Sequence, residues 1–242
     1  LKIDTGMHRL GFDEIHLEEL ITILKNCKTV QVKSILSHMA TSDDLTHHEF
    51  ALEQIEKFNR ISTSIRKELE ISPIRHILNT SGISNYPQAQ FDMVRLGIGL
   101  YGISNDTHEQ LYLENVGTLK SIISQIRTIQ KGESVGYGRR FIAERETKIA
   151  TIPIGYADGI RRSWGNGIGY VMINNQKSTI VGSICMDMLM VDITEIPCVE
   201  GNEVIILGDN LSVSMMAEKL GTIPYEILTG ISQRVKRIFY RE

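Results

Sequence analysis

A chain of 242 residues with 42% hydrophobic and 23% charged side chains is long enough for one large domain or two modest ones, and too apolar for disorder. Its net charge of −3 leaves no electrostatic excess to attract nucleic acid or an anionic membrane. No apolar run approaches the ~20 residues that span a bilayer, so a small-molecule partner fits better. Cys27, Cys185 and Cys198 are widely separated and lack CxxC spacing. They indicate no disulfide framework and no metal site, and a reducing cytoplasm is the default.

Residues 1–103 alternate between short apolar runs and stretches of helical periodicity, a βα rhythm. Leu1-Lys2-Ile3-Asp4 reads as the inside of a strand with no initiator Met, and the expectation is that sequence precedes it. Ile15, Leu17, Leu20, Ile21 and Leu24 mark one helical face, and residues 30–39 read as a strand. Phe50, Ala51, Ile55, Phe58, Ile61, Ile65 and Leu69 recur every three or four positions, which predicts a long amphipathic helix. Residues 75–79 and 91–101 read as further strands. The pattern points to a parallel sheet or a (β/α) barrel, with chemistry in the loops at the strand C-termini. A complete eight-unit barrel takes roughly 250 residues, so the ~100 here supply about half of one.

A polar stretch, 104–115, is the expected linker. Beyond it, strands at 120–129, 147–154, 170–173 and 204–207, broken by Gly, Asn and Asp turns, predict a mostly β domain with one helix near 214–220. The expected fold is therefore α/β plus β: residues 1–105 as the C-terminal part of a (β/α)8 TIM-type barrel, and 106–242 as a mostly β C-terminal domain.

Lys2-Ile3-Asp4-Thr5-Gly6-Met7-His8-Arg9-Leu10-Gly11 resembles the KxDTGMxRLG signature of the alanine racemase family. The resemblance runs on through Ser37-His38-Met39-Ala40, Asn79-Thr80-Ser81-Gly82 and Val94-Arg95-Leu96-Gly97-Ile98-Gly99. It resumes at Val135-Gly136-Tyr137-Gly138, Gly155-Tyr156-Ala157-Asp158-Gly159, Ile184-Cys185-Met186-Asp187 and Tyr225-Glu226. These motifs stand in the family's order over essentially the whole chain, so the joint match is highly specific. The family's N-terminal Ala-x-x-Lys-Ala block, whose lysine holds pyridoxal 5′-phosphate (PLP) covalently, is not found in these residues.

The resemblance implies a PLP-dependent isomerase that interconverts L- and D-alanine by two-base proton transfer, supplies D-alanine for peptidoglycan, and works as a homodimer with composite sites. Racemisation needs a base on each face of the α-carbon. The family's lysine serves one face, and Tyr137, reaching in from the partner subunit, matches the other. His38, and behind it Arg95, match the groups that help stabilise its phenolate, and Arg95 would also face the pyridine nitrogen of PLP. Thr80 or Ser81, with the amides of Gly97 and Ile98 and the phenol of Tyr225, match the phosphate site. Arg9 matches the residue that binds the substrate carboxylate, and Lys2 the often carbamylated lysine that orients it. On the partner side, the amide of Met186 would meet the substrate carboxylate, while Tyr156, Arg162 and Asp187 match entrance residues.

Taken singly, most of these side chains suit ordinary structural roles. A tyrosine such as Tyr137 is usually a strand residue, and Cys185 and Met186 are usually core filling. His47 and His48 are expected to be solvated, without function. Arg95 in an apolar run is the exception, because a buried guanidinium demands partners. The competing readings are a serine racemase of the same family, which Tyr225 disfavours because serine-preferring relatives have Asn there, a PLP-barrel decarboxylase relative, and a non-catalytic fragment.

Overall fold

The structure, a computed structural model, describes residues 1–104, 110–209 and 211–240. The described chain divides into two compact units, Leu1–Glu114 and Asn115–Glu242. Of the linker expected at 104–115, residues 105–109 lie outside the described residues, while Gln110 ties back to the first unit, its Oε1 accepting from Ser104 N at 2.8 Å and its Nε2 donating to Gly102 O at 2.9 Å.

The first unit is built on short parallel pairings. β1 (Ser34–Leu36) pairs in parallel with β2 (Ile74–His76). The opening segment joins its other side through Ile3 N to Leu36 O at 2.8 Å and Leu36 N to Leu1 O at 2.8 Å. Phe12 bonds beyond that segment, its amide to Lys2 O at 2.8 Å, while Asp92 and Arg95 donate to Arg75 O and Leu78 O past β2. The run expected at 30–39 thus contributes only three residues of ladder. The strand expected at 91–101 contributes isolated bonds and then turns into a 3-10 helix, Ile98–Tyr101. Gly97 and Gly99 break the extended run because the backbone must approach another chain segment closely there.

α1 (Leu17–Asn26) and α2 (His48–Leu69) cover this array. Along α2 the buried positions are Ala51, Gln54, Phe58, Ile61, Ser62 and Ile65, a 3-4-3-1-3 progression that follows the helical stripe. Phe58, Ile61 and Ile65 pack with Ile3, Ile35, Met39, Ile77 and Leu78, and full burial of each such side chain stabilises by about 1.5–3 kcal/mol. The helix ends where Glu70 takes a left-handed conformation at φ 53°, its amide reaching the carbonyls of Arg66 and Lys67. α3 (Thr80–Asn85) follows β2 directly, capped by Asn79, whose Oδ1 accepts from Gly82 N at 3.0 Å and from the Ser42 hydroxyl at 2.7 Å.

The second unit centres on a seven-stranded sheet in the order β3-β11-β8-β9-β10-β7-β4. These are β3 (Leu119–Ile122), β4 (Gln125–Ile129), β7 (Thr147–Ile152), β8 (Tyr170–Ile173), β9 (Gln176–Val181), β10 (Leu189–Asp192) and β11 (Glu203–Leu207). The strand expected at 120–129 is therefore two strands, and they lie at opposite edges. Only Ile123 and Ser124 separate them, a reach of about 10 Å, whereas a flat sheet of this width would set its edges about 29 Å apart at the usual strand spacing. The sheet must curl until its edges nearly meet. Ile123 N to Asn202 O at 3.0 Å and Ser124 N to Thr151 O at 2.9 Å stitch the closure.

A separate hairpin pairs β5 (Ser134–Val135) with β6 (Phe141–Ile142). Two helices close the unit, α4 (Val213–Leu220), capped by the Ser212 hydroxyl, and α5 (Pro224–Gly230). Among the described residues no helix is long and apolar enough to cross a membrane.

Candidate functional site

In the first unit the candidate residues gather past the C-terminal ends of the parallel strands, where strand ends present unpaired main-chain groups. Arg95 is the hub. Its Nη2 donates to Ser37 O at 2.7 Å, Ile77 O at 3.0 Å and His38 Nδ1 at 3.2 Å. Its Nη1 donates to His76 O at 3.3 Å and to His76 Nδ1. A guanidinium has donors only, so both imidazoles must accept at Nδ1 and carry their proton at Nε2. Burial, then the Arg95 charge, holds both rings below the ordinary histidine range, with Arg9 and Lys2 adding to the effect on His38. Among the described residues no carboxylate pairs with Arg95. Carbonyl dipoles and two neutral rings surround a half-buried cation, which leaves the site receptive to an acceptor or an anion.

Beside it lies a tight backbone crossing. Thr80 Oγ1, in the first turn of α3, accepts from Gly97 N at 2.9 Å and Gly99 N at 3.3 Å. A Cβ on Gly99 would come within 2.7 Å of Thr80 Cγ2, so the crossing needs glycine there. With both lone pairs engaged, the Thr80 hydroxyl proton is directed elsewhere as a donor. The Ile98 amide opens the 3-10 turn, where no intrahelical acceptor exists. Ser81 is buried one position further along α3.

The loop after the opening segment carries Arg9, which is exposed, while Lys2 is half-buried. Asp4 shapes this loop: its Oδ1 accepts from Gly6 N at 2.9 Å and His8 N at 3.1 Å. Gly6 sits at φ +138° and His8 at φ +52°, the left-handed conformations the sharp turn requires. Asp4, His8 and Asp13 bring ligand-type atoms within 4.8 Å of one another, but Asp4 already serves those backbone amides. Two features went unread in the sequence. His76, the second ring on Arg95, stands in the sequence only as a histidine near the start of the run 75–79. Gln54 lies outside the apolar positions that mark this helix in the sequence and carries no signal of its own.

In the second unit Tyr137 stands 73% exposed on a 3-10 turn between β5 and β6, flanked by Gly136 at φ +70° and Gly138 at φ +68°. The β5 end packs against the residues after β9, where a Cβ on Gly182 would lie 2.8 Å from Val135 O. Next come two loops zipped together: Tyr156 N donates to Cys185 O at 3.0 Å and Ala157 N to Met186 O at 2.9 Å. A Cβ on Gly155 would sit 2.4 Å from Cys185 O and 2.5 Å from Met186 O. Asp158, buried, clamps this pair. One carboxylate oxygen accepts from Gly155 N at 2.9 Å and the other pairs with Arg234 Nε at 2.8 Å. Tyr156, Met186, Asp187 and Arg162 are all exposed around these loops. Tyr225 lies on α5, 40% exposed.

Comparison with known proteins gives a consistent picture. A family model described as "Alanine racemase, N-terminal domain" matches residues 1–105, and "Alanine racemase, C-terminal domain" matches 116–239. The chain is 40% identical over 247 residues to "Alanine racemase 2" of Caldanaerobacter subterraneus subsp. tengcongensis, covering 99% of this chain and 63% of that protein. To "Alanine racemase 1" of Clostridium acetobutylicum it is 39% identical, covering 100% of this chain and 64% of that one. Among solved structures, alanine racemase from Streptomyces lavendulae superimposes with a TM-score of 0.93 at 33% identity, over 100% of this chain and 66% of the other. Alanine racemase from Bartonella henselae, described with covalently bound pyridoxal phosphate, gives 0.86 at 34%, over 99% and 66%. The chain thus spans a little under two thirds of the curated relatives' length.

Proposed function

The chain belongs to the alanine racemase family, and from that premise we propose that the protein interconverts L- and D-alanine with PLP as cofactor, as a cytoplasmic homodimer. In this reading residues 1–105 form part of a (β/α)8 barrel that binds PLP, and 106–242 the mostly β domain that completes the partner's site.

The observation that carries the reading is the Arg95 cluster. PLP, when bound, supplies an electron sink that acidifies the substrate α-proton. The residues present suit its ring and phosphate: the Thr80 hydroxyl and the Ile98 amide are donors at one crossing, and the family resemblance gives the phenol of Tyr225 to the phosphate as well. Arg95 would face the ring nitrogen, and because the guanidinium stays protonated it would leave that nitrogen an acceptor. The block with the covalently binding lysine is not among these residues.

Tyr137 serves one face of the α-carbon from the partner subunit. An unassisted phenol, with a pKa of about 10, is a weak base at neutral pH. His38, its proton at Nε2 and Arg95 behind it, donates to the phenolate and lowers the cost of forming it. Arg9 holds the substrate carboxylate with a planar fork, and Lys2, carbamylated, orients Arg9. The Met186 amide meets that carboxylate from the partner side, with Tyr156, Arg162 and Asp187 at the entrance.

The test is racemisation of L-alanine by the complete protein with PLP, followed polarimetrically beside L-serine. Alanine is expected to turn over faster, and Tyr137→Phe to lose about 10²–10⁴-fold in kcat. A complete, PLP-loaded protein that leaves L-alanine unchanged sinks the proposal, and a preference for L-serine transfers it to the serine racemase reading.

A further inference from the structure

We propose that Gln54 is a positioning residue for the racemase chemistry, its side-chain amide fixing the His38 loop and the Arg9 loop against each other from below; the inference rests on the function proposed above. Gln54 is 0% exposed and lies on the buried, mainly apolar face of α2, one turn from Ala51 and Phe58. Its Oε1 accepts from Ala40 N at 2.9 Å. Its Nε2 donates to Thr5 Oγ1 at 3.2 Å and to His38 O at 3.3 Å. The orientation of the amide is fixed by these partners, since a main-chain amide can only donate and a carbonyl only accept. The network continues: Thr5 Oγ1 lies 2.8 Å from Ser37 Oγ, which donates to Ile3 O at 2.8 Å.

Core filling does not account for this amide, because Met or Leu would occupy the space with no polar group to satisfy. What the amide does is specific. It holds the backbone on both sides of Met39, and so sets the point from which the His38 ring meets Arg95 Nη2 at 3.2 Å. The same amide holds Thr5, the residue before the turn that carries Arg9. That turn also rests on α2, where a Cβ on Gly6 would approach Phe50 Cζ to 3.0 Å. One helix thereby positions both loops, and Gln54 is the polar link between them. The charged groups acting on His38 are Arg95, Arg9 and Lys2, drawn from the strands and turns on either side of its own.

The experiment uses the complete PLP-loaded protein with Gln54→Met and Gln54→Glu. Two quantities are read: kcat and KM for alanine, and the His38 titration followed by NMR of its imidazole, which needs no turnover. Gln54→Met is expected to lower kcat about 10- to 100-fold, with KM within about threefold, as a small misplacement of a reacting group does. The His38 midpoint should rise toward the ordinary histidine value as the loop admits water. Gln54→Glu keeps the acceptor for Ala40, and because burial raises a carboxyl pKa the acid form can also donate, so its deficit relative to wild type should be smaller near pH 6 than near pH 8. The proposal is overturned if a folded Gln54→Met keeps kcat and the His38 midpoint of wild type, or if its activity falls only with its folded fraction. Should Gln54→Met fail to fold, Gln54→Glu with both readouts unchanged overturns it equally. A wild-type protein that racemises nothing ends the function reading, while the His38 midpoint in Gln54→Met still decides the role of Gln54.

Discussion

Arg95 concentrates the residue-scale physics of the first unit: one permanent cation holds two strand ends by their carbonyls and forces two histidines to remain neutral. The consequence for stability has a definite sign. His38 and His76 titrate below the ordinary value in the folded chain, chiefly through burial and then through Arg95. Above about pH 6.5 the rings are neutral folded or unfolded and have no effect. As pH falls through that value, the unfolded chain takes up protons that the folded chain resists, so stability declines toward the lowered folded pKa values. The melting temperature should drop between about pH 7.5 and about pH 5.5, and His76→Gln should flatten that dependence. An unchanged slope would mean that His76 is not held neutral. Arg95→Lys keeps the charge and loses the fork; a loss of about 1–3 kcal/mol in urea unfolding is expected from the stranded carbonyls.

At the scale of elements, close approaches without side chains hold the candidate loops. Gly155 is a severe case, since a Cβ there meets the backbone oxygens of Cys185 and Met186 at 2.4 and 2.5 Å. No rotamer change relieves a clash with backbone. Gly155→Ala should destabilise the second unit by about 1–3 kcal/mol or more, read as a lower melting temperature. The Asp158–Arg234 clamp makes a different prediction, because Asp158 is buried and Arg234 is half-exposed. Removing Arg234 leaves the carboxylate its backbone donor but not its cation. Arg234→Ala should therefore loosen residues 155–159, visible as faster amide exchange at Gly155, while the curled sheet stays protected.

For the whole molecule, the two units differ in how their strand edges are met. In the second, the curled seven-stranded sheet brings its own edges together and encloses Ile152, Val171, Ile173, Val191 and Ile206, all at 0% exposure. In the first, Leu10, Phe12, Ile15 and Ile23 are exposed at 43% or more. Residues 115–242 expressed alone should melt cooperatively, and residues 1–114 alone should not; a cooperative transition in the latter would show that its core suffices.

The helical period of residues 48–69, the βα rhythm before residue 104 and the shift to short strands after 115 were all legible in the sequence, because periodicity reports which face of an element is buried. The motif residues were legible as a set. Tertiary structure alone decided that residues 120–129 supply both edges of one sheet, since strand partners are set by packing between distant segments. It alone decided that His76 and Gln54 join the site. A ring at the end of a strand and an amide on a helix face have no pattern of their own; they acquire a role only when neighbouring chain segments bring donors and acceptors within hydrogen-bond reach.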